Sequence, residues 1–213
     1  MRKLVDGAAD VARPMGLTQG VHMRTIIAAG VVALILAGGA HAQLPVDIEL
    51  RGGAAFPTED AGDTQLKTGV GGGLTVNVRL LTQVAIYGGW DWFRLNPDGA
   101  DSDFDIENTG YAFGFQFQRA LYGDMGGWAR AGGIYTHAEI EDADGELVSD
   151  SGHELGWEVG GGLHVPITDR IALIPGVRYR TVSLEFDDDA TIPMDLSYLT
   201  AEIGFQLRLG PRP

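Results

Sequence analysis

The sequence predicts an all-β fold: an eight-stranded antiparallel transmembrane up-and-down β-barrel preceded by a cleavable signal peptide. Three observations predict it. A short apolar N-terminal run ends in a small-x-small tripeptide. The rest of the chain breaks into segments that alternate with period two. The connections between those segments are alternately short and long.

The N-terminal run is Met23 to Ala42. Arg24 gives it a positive start, Ile26 to Leu36 is its apolar core, and Ala40-His41-Ala42 fits the cleavage pattern of an export signal. The run is shorter than the roughly 20 residues a membrane-spanning helix needs. Residues 1–22 contain Asp6 and Asp10 and lack apolar periodicity. They are expected to be a non-native N-terminal extension, with translation starting at Met23. The expected domains are therefore 1–22, the signal peptide 23–42, and the barrel 43–213.

Eight segments follow. In Val46–Phe56, one face is Val46, Ile48, Leu50, Gly52, Ala54 and Phe56, and the other opens with Asp47, Glu49 and Arg51. Gly69–Leu80 sets Val70, Leu74, Val76 and Val78 against Gly71, Gly73, Thr75, Asn77 and Arg79. Val84–Trp92 presents Val84, Ile86, Gly88, Trp90 and Trp92 on one side. Tyr111–Phe117 presents Tyr111, Phe113, Phe115 and Phe117. Leu155–Ile167 sets Leu155, Trp157, Val159 and Leu163 against Glu158, Gly160, Gly162 and His164. The last segment sets Leu199, Ile203, Phe205, Leu207 and Leu209 against Thr200, Glu202, Gly204, Gln206 and Arg208. Such alternation is the signature of a strand with two unlike faces. Trp128–Ile140 changes phase near Gly132-Gly133, and in Ile171–Phe186 the residues Val182, Leu184 and Phe186 take the opposite face. Glycine pairs and phase changes predict β-bulges there.

Short connections fall at Leu81-Thr82-Gln83, Tyr122 to Gly127 and Thr168-Asp169-Arg170. The long ones are Pro57–Leu66, Leu95–Asn108, Glu141–His153 and Asp187–Pro193. Short turns at one end and long loops at the other are how membrane barrels are built.

Alternation alone does not separate a membrane barrel from a soluble lipocalin-like periplasmic binding barrel. The polar face decides. It is rich in glycine, with Arg, Glu and Gln spaced along it, which suits a narrow interior better than a solvated exterior. Inside such a ring, Arg51, Arg79, Arg178, Arg180 and Arg208 can pair with Glu49, Glu158 and Glu202. Trp90, Trp92, Phe93, Tyr122, Trp128 and Tyr198 lie near segment ends, as interfacial girdles do.

Gly156 to Arg180 reads GWEVGGGLHVPITDRIALIPGVRYR. This stretch resembles the penultimate hairpin of the OmpA/OmpX-like family of small outer-membrane β-barrels, with its Gly-rich strand, Thr-Asp-Arg turn and Arg-Tyr-Arg strand end. The resemblance implies the outer membrane of a Gram-negative bacterium, insertion by the outer-membrane assembly machinery, contact with outer-membrane lipid and lipopolysaccharide, and a monomer.

Composition narrows the function. The net charge of −14 excludes the basic footprint that nucleic-acid binding needs. With no cysteine there is no disulfide framework, thiolate metal site or thiol nucleophile. The four long connections hold three, five, five and three acidic residues and no Lys or Arg, so they carry the whole acidic excess of the exported chain. Asp98, Asp101, Asp103 and Asp105 share one of them. Spaced carboxylates suit a hard cation such as calcium, although no EF-hand pattern is complete. His153 lies near Ser149, Ser151 and Glu154 without the spacing of a known hydrolase, and the adjacent His-Ser pair of barrel deacylases is missing. Of the histidines His137, His153 and His164, His153 reads as a bystander loop histidine and His164 as an inward hydrogen-bonding group. No cofactor other than such a cation is expected. The expected protein is not an enzyme. Its role is structural or surface-interacting through acidic extracellular loops, the alternatives being a narrow channel for ions or small solutes and the soluble binding barrel.

Overall fold

A computed structural model describes residues 45–60, 65–98, 104–142, 146–186 and 192–209. Residues 1–44, which include the expected extension 1–22 and the expected signal peptide 23–42, lie outside them. The strands are β1 (Val46–Pro57), β2 (Gly69–Leu81), β3 (Val84–Leu95), β4 (Phe104–Tyr122), β5 (Met125–Asp142), β6 (Leu147–Asp150), β7 (Glu154–Pro166), β8 (Ile171–Leu173), β9 (Gly176–Phe186) and β10 (Ile192–Arg208). All pairings between them are antiparallel.

Eight of these strands form a closed ring in the order β1, β2, β3, β4, β5, β7, β9, β10, with β10 pairing back onto β1 from Asp47↔Arg208 to Pro57↔Tyr198. β6 is an addition outside the ring that, among the described residues, pairs with β5 alone. β8 and β9 are two parts of one ring position, interrupted at Ile174-Pro175. Proline has no N–H to give the ladder and a fixed φ. The neighbours keep the wall joined across it: Ile174 N donates to Gly204 O at 2.8 Å and Leu163 N donates to Pro175 O at 2.9 Å.

The two faces divide as the alternation predicts through most of the ring. Leu50, Leu74, Phe115 and Ile203 are exposed outside, while Glu49, Arg51, Glu158 and Glu202 are buried inside. Interior glycines make room for large neighbours. A Cβ on Gly176 would stand 2.2 Å from Trp128 Cζ2, and one on Gly160 would stand 2.6 Å from Arg178 Cγ.

Several expectations need correction. No bulge occurs at Gly132-Gly133: the β4–β5 register runs unbroken from Phe104↔Asp142 to Ala120↔Gly126. No slip occurs at Val182 either, since β9 pairs β10 continuously from Gly176 to Phe186. The irregularities sit instead near two short turns, between Arg79 and Leu81 and between Ala120 and Tyr122, and in the β5–β6 hairpin between Ile140 and Glu141. What changes at Ile134, Val182 and Leu184 is the chemistry of the interior, because all three are buried on the inward face. At that end of the ring the inside is apolar, and the outside is polar.

The aromatic residues also need correction. Trp90 and Tyr122 are exposed, but Phe93 and Tyr198 are buried inside at the apolar end, and Trp128, near the short turns, is buried inside against Arg51 and Arg130. Two of the long loops are shorter than expected. β3 and β4 stay paired to Leu95↔Ile106, so Asp105 and Glu107 are strand residues. Within the expected loop Glu141–His153, residues Leu147–Asp150 form β6. The turn after β4 is tighter than expected, with Gly123 at φ 55° between Tyr122 and Met125, a left-handed conformation that favours glycine.

Candidate functional site

The ring interior is layered along the strands. At the end with the short turns, Asp47 meets Arg79 at 2.8 Å and Arg208 at 3.5 Å. His164, Gln206 and Arg208 line an open vestibule beside the Thr168-Asp169-Arg170 turn.

Above this lies a buried ionic layer in two clusters. In the first, Glu49 accepts from Arg51 at 2.6 Å and from Arg130 at 2.7 Å, and Arg130 also donates to Gln116. Both guanidinium groups lie over Trp128, at 4.7 and 5.1 Å, and Arg130 also lies over Tyr87 at 4.7 Å. Two cations thus share one carboxylate, with aromatic faces supplying part of the balance.

The second cluster has the opposite imbalance, three carboxylates around two guanidinium groups. Arg178 donates to Glu202 through Nε at 2.8 Å and Nη2 at 2.5 Å, to Asp91 at 3.0 Å and to Glu158 at 3.3 Å. Arg180 donates to Glu158 at 2.9 Å and also to Asp91. Tyr87 Oη donates to Glu158 at 2.7 Å. Strands β3, β7, β9 and β10 each supply one or more of these groups, so the cluster ties together walls far apart in sequence. Burying charge is tolerable only when it is paired and hydrogen-bonded in this way.

Arg180 also lies over the Phe93 ring at 5.4 Å, which opens the third layer. There Phe93, Leu95, Ile106, Ile134, Val182, Leu184, Leu196 and Tyr198 pack together in one buried apolar cluster. Tyr198 keeps its hydroxyl satisfied by donating to Asn108 at 3.1 Å.

All eight residues anticipated for the interior network, Glu49, Arg51, Arg79, Glu158, Arg178, Arg180, Glu202 and Arg208, make ion pairs inside the ring. Sequence reasoning missed Asp47, Asp91, Arg130, Tyr87 and Gln116. Asp91 could have been found from its position between outward-facing Trp90 and Trp92. Arg130 was hidden by the misread phase of its segment.

The expected calcium ligands are only partly described, since Asp101 and Asp103 lie outside the described residues. Asp98 pairs with Lys67 at 3.1 Å, and Asp105 accepts from Arg94 and Asn96. These two carboxylates are therefore each met by a side chain of the protein itself.

At the outer end of β5, His137 and Glu139 lie on its outer face. His137 Nε2 stands 3.1 Å from Glu139 Oε1, and His137 Nδ1 stands 3.1 Å from His153 Nε2. His153 stacks on Tyr135 with centroids 5.1 Å apart. Asp150, on β6, is the register partner of Glu139. Ser151 fixes the segment, its Oγ accepting from Ala138 N at 2.8 Å.

Comparison with known proteins agrees with this architecture. The family described as outer membrane protein beta-barrel domain matches residues 26–208. Among solved structures, Neisserial surface protein A superposes with a TM-score of 0.54 at 13% identity, covering 79% of this chain and 99% of that one. The outer membrane protein OprG from Pseudomonas aeruginosa gives 0.54 at 12% identity, covering 80% and 99%. No curated protein matches the chain by sequence.

Proposed function

We propose, from the premise that the chain belongs to the outer membrane protein beta-barrel domain family, that it is a small transmembrane barrel whose work is structural or surface-interacting rather than conductive. The observation that carries this reading is the filled interior. An ion-paired layer and an apolar layer lie one above the other, so a solute passing along the axis meets buried salt bridges and then packed side chains. Eight strands leave an interior just wide enough for side chains to fill.

The membrane setting draws support from the outer face. Leu50, Phe115 and Ile203 are each more than half exposed, at 62%, 63% and 61%. So large an apolar exterior is stable in lipid and costly in water. That disfavours the soluble binding barrel. Export by the N-terminal signal, insertion by the outer-membrane assembly machinery and a monomeric state complete the reading. The acidic connections then lie on the cell surface. A calcium ion bound by Asp98 and Asp105 would have to displace Lys67 and Arg94. The reading that fits this pairing is diffuse: the acidic surface recruits divalent ions that also bridge anionic lipopolysaccharide.

Planar-bilayer recording on the refolded protein tests the proposal. Absence of steady, reproducible openings is the expected result, and such openings would replace it with the channel reading. Heat-modifiable gel mobility in outer-membrane fractions tests the location, and absence of the protein from those fractions would overturn it.

A further inference from the structure

We propose that His137, Glu139 and Asp150 form a binding site for a divalent transition-metal ion of the zinc class, with His153 holding the His137 ring. Three independent features of the β5–β6 hairpin converge on it.

The first is spacing. One donor atom from each of the three residues lies within 4.8 Å of the other two. His137 and Glu139 are two apart on one strand and therefore share a face, and Asp150 is the cross-strand partner of Glu139. That gives a triangle of donors on one patch of sheet. Around a tetrahedral zinc ion with bonds of about 2.0–2.1 Å, ligand atoms stand roughly 3.3 Å apart. The His137–Glu139 pair already has this spacing at 3.1 Å. Asp150 is exposed, so its carboxylate is free of packing constraints on a small inward rotation.

The second is charge. Glu139 and Asp150 are like charges directly opposite each other, an arrangement that destabilises a sheet. Among the described residues no Lys or Arg forms an ion pair with either. The neighbouring carboxylate in the same row, Glu107, differs in this respect, with Arg94 at 3.8 Å and the Trp92 indole at 2.9 Å.

The third is the imidazole pair. A metal-bound histidine characteristically donates its second ring N–H to a fixed acceptor. His153 Nε2, on a ring in tilted contact with Tyr135, stands 3.1 Å from His137 Nδ1 and serves as such an acceptor when the His137 proton is on Nδ1. In that tautomer His137 Nε2 presents a lone pair to the Glu139 carboxylate 3.1 Å away, a pairing that a bound cation satisfies. Imidazole nitrogen excludes calcium, which takes oxygen ligands, and suits zinc, copper or nickel. Bound there, the ion would staple the four-residue β6 to β5.

Calorimetric titration of the refolded full chain with zinc chloride tests the site, with cobalt(II) absorption reporting its geometry. The expected result is one saturable equivalent per chain and tetrahedral-type cobalt bands. His137→Gln and Glu139→Gln abolish both. His153→Phe, which keeps a ring on Tyr135 and removes the nitrogen acceptor, weakens zinc about 10-fold or more. His164→Gln, at the opposite end of the ring, leaves binding intact. Each variant is first shown to be folded by heat-modifiable mobility. The proposal is overturned by any of three results: no saturable zinc heat, unchanged binding in His137→Gln, or calcium binding as tightly as zinc in a manner that Glu139→Gln removes.

Discussion

Removing Arg178 gives the sharpest test of the interior. In Arg178→Leu, three carboxylates lose a partner, but not equally. Glu158 and Asp91 keep Arg180. Glu202 loses both hydrogen bonds and its one ion pair among the described residues. The variant therefore leaves one buried, uncompensated carboxylate. Breaking a buried pair in this way costs about 3–5 kcal/mol. Adding Glu202→Gln removes the charge and leaves a neutral amide, whose unmade hydrogen bonds cost about 1–3 kcal/mol. The double variant should thus recover about 2 kcal/mol relative to Arg178→Leu alone. Reversible urea unfolding in lipid vesicles, followed by tryptophan fluorescence, measures both. A loss under about 1 kcal/mol for Arg178→Leu, or no coupling with Glu202→Gln, would show that water rather than Arg178 neutralises that layer, and the paired-interior argument would fail.

Three further outcomes follow from the same interior. Arg130→Met should cost only about 1 kcal/mol, because Glu49 keeps Arg51 at 2.6 Å and a surplus buried cation disappears; the same unfolding assay ranks it against Arg178→Leu. Leu184→Asn should cost about 3 kcal/mol or more while Ser183→Asn stays within about 0.5 kcal/mol, since Leu184 is fully buried and Ser183 is not; equal effects would restore the bulge at Val182. Gly176→Val should destabilise by about 1–3 kcal/mol by driving a side chain into Trp128, seen as a lower urea midpoint and a shifted tryptophan emission.

Much of this was legible in the sequence, and the misreadings share one cause. Period-two alternation reports that a strand has two unlike faces, and it located all eight ring positions. It does not report which face is apolar at each height. Ile134, Val182 and Leu184 looked out of phase only because one rule, apolar outside, was applied along the whole strand. These strands run on to where the exterior becomes polar, with Arg94, Glu107 and Glu139 outside and Ile106, Leu184 and Leu196 inside. The apparent phase changes mark that crossing. Pro175 was visible in the sequence as the residue that breaks a ladder, yet the break was assigned further along. The His137–His153 approach was not legible, because it depends on the chain after β6 folding back along β5, and nothing in the spacing of the two residues encodes that.

The layering has a consequence for how the ring finds its register. A slip of one residue between neighbouring strands turns every side chain to the wrong face and is forbidden by alternation alone. A slip of two residues restores every side chain to its proper face, and alternation is blind to it. The layers are not. Moving β9 by two residues one way along β10 would carry Arg180 up into the row of Leu196, among apolar side chains, while moving it the other way would bring Val182 down into the row that Arg180 holds beside Glu158 and Asp91. The first slip strands a charge in hydrocarbon, and the second takes a partner from two acids. The vertical order of charged and apolar rows thus fixes the stagger of the strands, and with it the diameter and tilt of the closed ring.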